Sequence, residues 1–548
     1  MIARLLRLEL SRKLLILGAI ACADHPDPQD AAHPTEARRL LQRGTLFLQQ
    51  DRPARALAEL TQAVALDSAS STAHFQKGLA HARLDQPIAA IAAFERALAL
   101  TPDDSTTRLS VSAELNVEAS PKSELAEVQP RAHFALAAVL RDQHRYLEAA
   151  SHLEQAIALV PERAKYHFYL GEVRRATGDF AGALTAFNRT IELSLDDSTT
   201  RLSVSAELNV EASPKSELSE VHLEARYYHS DLLVRNQQLS QARTGFADLL
   251  ARNPDHIQGG LGLGGLLIRL GEPTAAIPVL EHVAGTDPHN PAPHYLLAQA
   301  YAESDRPADM RRAQGRFQQL SAAERHLNQG NIYIRQGAWD KAIDSLKRAL
   351  ASDSTSVEIR LRLATVYAQQ KRFADARAAL AQILARNPDH RDAYIMLGDL
   401  YLHEGMSKEA ATHFVHSLAI DPDSFAGAYG LGRARFKSGD FAGAVAALRQ
   451  ALARNPDHRD AHYALGLAYI RQANYRDAHT HFARSTALDP DHAESHYGLA
   501  LILMQQGQRE QARQALQKVL ALAPDHQRAR AKLSELDDSA ELAEVQGP

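Results

Sequence analysis

Large anchoring side chains are scarce in this sequence. Only 6% of its 548 residues are aromatic, and it has one Trp and one Cys. A single cysteine excludes an intramolecular disulfide framework and any zinc or iron–sulfur site built on several thiolates. Charge of one sign is also lacking: 61 Lys and Arg face 66 Asp and Glu, a formal charge of -5. That balance gives no electrostatic case for nucleic acid as the main partner. Long apolar runs are missing too. The stretch Leu14 to Ala21, like every other run in the sequence, falls short of the roughly 18 residues a spanning helix needs. Yet 45% of the chain is apolar, so its surface must be buried by something other than one aromatic-rich core. Length alone suggests three or four globular domains, at about 150 residues each.

What is present is repetition. From residue 37 to about 526 the sequence recurs with a period of 34, and each period carries two helical patterns. A small residue recurs at the eighth position of 13 units, among them Gly44, Gly78, Ala137, Gly171, Ser230, Gly264, Gly398, Gly466 and Ala500. Ala recurs at the twentieth, as in Ala56, Ala90, Ala149, Ala242, Ala376 and Ala512, and a Phe or Leu follows four residues later. Pro closes many units, as at Pro102, Pro254, Pro388, Pro456 and Pro490. Small residues at fixed positions let antiparallel helices approach closely, and the bulky residue a turn later fills the next gap. Asn-Pro-Asp or Asp-Pro-Asp ends one helix, and its Asp can cap the next.

This signature resembles the tetratricopeptide repeat (TPR) family. The resemblance covers roughly nine tenths of the chain. It implies an all-α fold, a right-handed superhelical solenoid of about 13 helix-turn-helix units in which each unit packs only on its neighbours. The expected organisation is a signal segment (1–22), a tether (23–36), a first array (37–322), a second array (323–526) and a capping helix with a tail (527–548). The seventh unit lacks a Pro turn, and its second helix is displaced around Ala313 and Phe317. It is either a hinge between the arrays or a drifted repeat in a rigid stack.

Two inserts, 103–129 and 196–222, interrupt the first array, and they are identical over 103–125 and 196–218. Leu109, Val111, Ala113, Leu115, Val117 and Ala119 alternate with polar residues, as in an amphipathic strand. Such strands could pair with each other or with another chain, and a surface loop is the alternative. Ser120-Pro121 and Ser213-Pro214 read as helix starts.

The N-terminus has the layout of a secretory signal. Arg4, Arg7, Arg12 and Lys13 precede Leu14-Leu15-Ile16-Leu17, and Ala19-Ile20-Ala21 precedes Cys22. The lone cysteine after a small residue resembles the bacterial lipoprotein signal, which implies lipid attachment at Cys22, an exported protein and a place in the cell envelope. Ala19 and Glu9 depart from that pattern. Cleavage after Ala21 without lipid, or an uncleaved cytoplasmic helix, are the alternatives.

Catalytic chemistry finds no footing. Eleven of the twenty-six histidines fall at two repeat-linked places, where equivalent residues stand about 10 Å apart, too far to share a metal. His479 and His481 lack a convincing third ligand. The run Gly259 to Gly265 lies in a helical pattern without a strand or a Lys, so it is not a phosphate loop. No catalytic residue, metal, cofactor or small-molecule substrate is expected.

In TPR proteins the first helix of each pair lines a concave groove that holds peptides or partner helices. Carried over, the fifth position faces that groove and here is often aromatic: Phe75, Phe134, Phe168, Tyr227, Tyr295, Tyr429, Tyr463 and Tyr497. Near the thirteenth, Arg83, Arg235, Arg269, Arg335, Lys437 and Arg471 add basic side chains. Aromatic and Arg residues are common interface anchors, though rings here could simply pack between repeats. The fifth position is never Lys, so the clamp by which some TPR domains hold a chaperone's C-terminal carboxylate is missing. The resemblance implies a non-catalytic scaffold that binds other proteins, in envelope assembly, export or secretion. A glycosyltransferase subunit and a cytoplasmic assembly adaptor are the rival expectations.

Overall fold

The computed structural model describes residues 33–50, 52–101, 121–195 and 214–545. The signal segment with Cys22, the first part of the tether and the alternating stretches of both inserts lie outside the described residues. Among those described there are 26 helices and no strand. The chain divides into two compact units, Met1–Ala313 and Gln314–Pro548.

The first compact unit is built from antiparallel helix pairs such as Ser71–Arg83 with Pro87–Ala99 and Ala164–Thr177 with Phe180–Leu195. The repeat signature explains each pair. Ala at the twentieth position is fully buried in every unit that has it, from Ala56 to Ala276 here. Phe94, Phe187 and Phe246 at the twenty-fourth are also buried, and they cover the eighth residue of the same unit. A Cβ on Gly78 would sit 2.5 Å from the Phe94 ring, and one on Gly171 2.7 Å from Phe187. Helices start at Pro121 and Pro214, within the inserts. The glycine run does lie in a helix, Ile257–Arg269, capped by His256.

The second compact unit repeats the scheme in Val357–Gln369 with Phe373–Leu384, and onward to Ala493–Gln505 with Arg509–Leu522. Ala342, Ala376, Ala410, Ala444, Ala478 and Ala512 are again fully buried, as are Phe414 and Phe482. The last helix, Gln527–Val545, lays Ala529 and Leu536 against Leu516 and Val519. It covers the apolar end that a terminal repeat would otherwise expose.

The seventh unit departs from the helix-pair pattern. Pro307–Arg335 is one 29-residue helix that merges the second helix of unit 7 with the first of unit 8. The compact units divide after Ala313. The stretch Gln318-Gln319-Leu320-Ser321-Ala322 has neither Pro nor Gly, so nothing stops the helix where other units carry Asn-Pro-Asp.

Candidate functional site

The fifth-position aromatics do two jobs. Phe75, Phe168 and Tyr497 are buried; Phe134, Tyr227, Tyr429 and Tyr463 are half-buried; Tyr295 is the most open, at 50% exposure. Their ring contacts follow a rule. Each tends to meet the twenty-fourth residue of its own unit, as in Phe75–Phe94 at 5.9 Å, Phe168–Phe187 at 5.9 Å, Tyr227–Phe246 at 6.3 Å and Tyr463–Phe482 at 5.8 Å. Several also meet the histidine that starts the next unit: Tyr227–His256 at 5.7 Å, Tyr429–His458 at 5.2 Å, Tyr463–His492 at 5.2 Å and Tyr497–His526 at 4.8 Å. Much of this aromatic surface therefore joins repeat to repeat. The Tyr295 hydroxyl accepts from Gln299 at 3.0 Å.

The basic residues near the thirteenth position are exposed, yet most have internal partners. Arg83 donates to the Leu48 carbonyl of the preceding unit, and Arg269 to Gln237 Oε1 at 2.7 Å. Arg471 lies over the Phe441 ring at 4.7 Å. Arg235 pairs with Asp231 at 3.0 Å on its own helix. Three of these four tie consecutive units together. Arg335 and Lys437 point into solvent at the ends of their helices.

Phe75 and Phe134 are brought into one cleft of about 430 Å³, between the first helix of unit 2 (Ser71–Arg83) and that of unit 3 (Pro121–Asp142). Phe75, Leu79 and Ala82 line one wall at helical spacing, Phe134, Ala138 and Val139 the other, and Phe94 reaches in from the second helix of unit 2. The small side chains of Ala82, Ala135 and Ala138 leave the space open. The rim is charged. Arg131 stands 5.3 Å over Phe75, Lys165 stands 5.6 Å over Phe134, and Asp85 and Asp142 mark the turn end. Its size and mostly apolar lining match clefts that take a ligand or an anchoring side chain, about 300–1,000 Å³.

The ninth position contributes to the lining of this cleft, which the sequence reading missed. It is Leu79 and Ala138 in units 2 and 3, but Glu172 and Asp231 in units 4 and 5. Glu172 is tied to Arg141 at 3.0 Å, and burial raises its carboxyl above the ordinary range against that pairing. A second cleft, of about 470 Å³, runs past Glu154, His167, Arg174 and Glu192. Its charges are already paired, Arg174 with Glu154 at 2.8 Å and Arg189 with Glu192 at 3.2 Å, so it offers less unsatisfied chemistry.

Histidine geometry was also missed. His481 faces His462, not His479, with Nδ1 atoms 2.9 Å apart, and His133 and His152 repeat the arrangement at 3.0 Å. Among the described residues no three His, Cys, Asp or Glu side chains converge as a metal site would need. Nor is any described helix long and apolar enough to cross a membrane.

Two family models, both described as tetratricopeptide repeat, match the chain. One matches residues 41–105, 134–197, 227–291, 429–472 and 463–527, the other 267–326, 333–400 and 368–431. No curated protein matches. Similar solved structures include YrrB, titled a TPR protein with an unusual peptide-binding site (23% identity, 35% of this chain, 98% of that one, TM-score 0.32). PilW, titled a widely conserved type IV pilus biogenesis factor, is similar at 22% identity over 38% of this chain and 98% of its own, with TM-score 0.36. MamA from Desulfovibrio magneticus RS-1 is similar at 20% identity over 31% and 97%, with TM-score 0.30. The matches recur from unit 1 to unit 13, on the same residues that build the helix pairs, and the chain belongs to the tetratricopeptide repeat family.

Proposed function

We propose that this protein is an interaction scaffold whose main contact is the apolar cleft of units 2 and 3. The observation that carries the reading is the convergence of Phe75, Leu79, Phe134 and Val139 on an open cleft, where most other fifth-position rings are spent between repeats. Fully burying one such side chain is worth roughly 1.5–3 kcal/mol, and the cleft offers that gain to an incoming apolar side chain. Arg131 and Asp142 at its rim would orient the partner by charge more than they would add affinity. A photoreactive residue at Leu79 is expected to trap a discrete partner polypeptide in cells, and Phe134→Ser to abolish the adduct. Adducts that ignore Phe134→Ser would sink the cleft.

The scaffold's place is the cell envelope, exported and lipid-anchored at Cys22, in assembly, export or secretion. The basic segment, the short apolar core and the small residues before Cys22 support this. Mass spectrometry of the mature N-terminus is expected to find a chain that begins at a diacylated Cys22. A chain that begins at Met1 would place the protein in the cytoplasm instead.

A further inference from the structure

Histidine holds unit 12 (459–492) at every joint. At its entry His458 is the N-cap: its Nδ1 accepts the Ala461 backbone N–H at 3.1 Å, and its ring packs on Phe425 at 4.6 Å and Tyr429 at 5.2 Å. Between its two helices, His462 Nε2–H donates to the Pro456 carbonyl at 2.8 Å. That bond leaves His462 Nδ1 as the acceptor of the His481 Nδ1–H, 2.9 Å away. His462 is only 8% exposed, and Tyr469 stacks on His481. At the exit a chain of hydrogen bonds runs from the Arg459 carbonyl through Ser485 and Ser495 to His492 Nδ1. The cap needs a bare Nδ1, and so does the acceptor of the pair. A further proton therefore opposes two N–H groups or leaves an imidazolium desolvated between helices. A cation at a helix N-terminus also opposes the helix dipole.

We propose that unit 12 is an acid-sensitive joint, which opens on mild acidification and releases unit 13 and the capping helix from the stack. The charges around it are mixed. Arg459 and Asp460 face His458, and the helix Phe425–Ser438 presents only rings there. His481 meets Asp477, Arg449 and His462; His492 meets Arg459, Asp460, Asp489 and Glu494. Arg459 is itself held by Asp489 at 2.6 Å and Asp460 at 2.7 Å. Burial outweighs the carboxylates. It pushes His458, His481 and His492 below the ordinary 6.5, and His481 to about 4. Because the folded values are depressed, the stability these groups supply is complete above pH 6.5 and is lost as pH falls toward 4.

The chain's own repeats supply replacements that do not titrate. Ser70, Ser356 and Ser424 cap other units in the place of His458. His167 with Ala186 and His496 with Ala515 stand where His462 and His481 do. Hydrogen–deuterium exchange of the full chain at pH 7.5 and 4.5, corrected for intrinsic exchange, tests the joint. Protection in 459–488 is expected to fall at least about tenfold more than in unit 9 (357–384), whose cap is Ser356. The His458→Ser, His481→Ala variant should remove that difference while it keeps protection at pH 7.5. Equal losses in units 9 and 12 of the native chain, or an unchanged loss in the variant, would overturn the proposal. If the double variant is unfolded at pH 7.5, His458→Ser alone must reduce the loss.

Discussion

In every unit whose twenty-fourth residue is Phe, the eighth is Gly or Ser: Gly78 with Phe94, Gly171 with Phe187, Ser230 with Phe246, Gly398 with Phe414, Gly466 with Phe482. Where the eighth is Ala, the twenty-fourth in units 3, 9 and 13 is Leu: Leu153, Leu380 and Leu516. The two positions share one volume, because the ring lies on the glycine's Cα. Gly78→Ala is therefore expected to cost about 1–3 kcal/mol by overpacking. Phe94→Leu added to it should recover part of that loss, a coupling of about 1 kcal/mol. Repeat arrays unfold non-cooperatively, so the cycle is best read from exchange protection within 71–99 and not from one melting point. Additive losses would dismiss the shared-volume account. This trade was half legible: the sequence placed the small residues and the Phe or Leu, but not the contact between them.

Helix pairs turn through one backbone conformation. The fifteenth residue is left-handed in the twelve units where it is described, Gly in Gly178, Gly271, Gly337, Gly405, Gly439 and Gly507, and non-glycine in Asp85, His144, Gln237, Asp305, Lys371 and Ala473. The next residue's N–H then bonds back to the eleventh carbonyl, as from Gln86 to His81 and from Asn474 to Tyr469. Ala473 at φ 59° carries the usual cost of an L residue there, about 1–2 kcal/mol. Ala473→Gly is expected to stabilise unit 12 by about 1 kcal/mol, after the glycine's own entropy cost is offset. A loss of protection in that unit would contradict it. The turn hid from sequence reading because half its occupants are not glycine and the strain is absorbed by packing on both sides. The fused helix Pro307–Arg335 was hidden for the opposite reason. Its displaced pattern was visible, but the continuous backbone follows only from the lack of a breaker, which a search for repeat marks passes over.

For the whole molecule, the repeat fold was legible because 13 weak signals agree on one period. The site was not. Fifth-position aromatics were singled out as a class, yet in the structure Tyr227 and Tyr463 lie between Phe of their own unit and a histidine of the next, and Tyr429 and Tyr497 also meet that histidine. Phe75 and Phe134 stand beside open space, with the apolar ninth residues Leu79 and Ala138 in the same lining. The cleft pairs residues a full unit apart, Phe75 and Leu79 with Phe134 and Val139, which single-position patterns do not reach. The same distance rule converts exposed Arg83 and Arg269 into clamps between units. One measurement tests the scaffold reading most directly: photocrosslinking in cells from Leu79 inside the cleft, compared with Thr185 in the second cleft, between units 3 and 4. A discrete adduct from Leu79, lost with Phe134→Ser and absent from Thr185, is the predicted result. The same adducts from both positions, or none from Leu79, would contradict it.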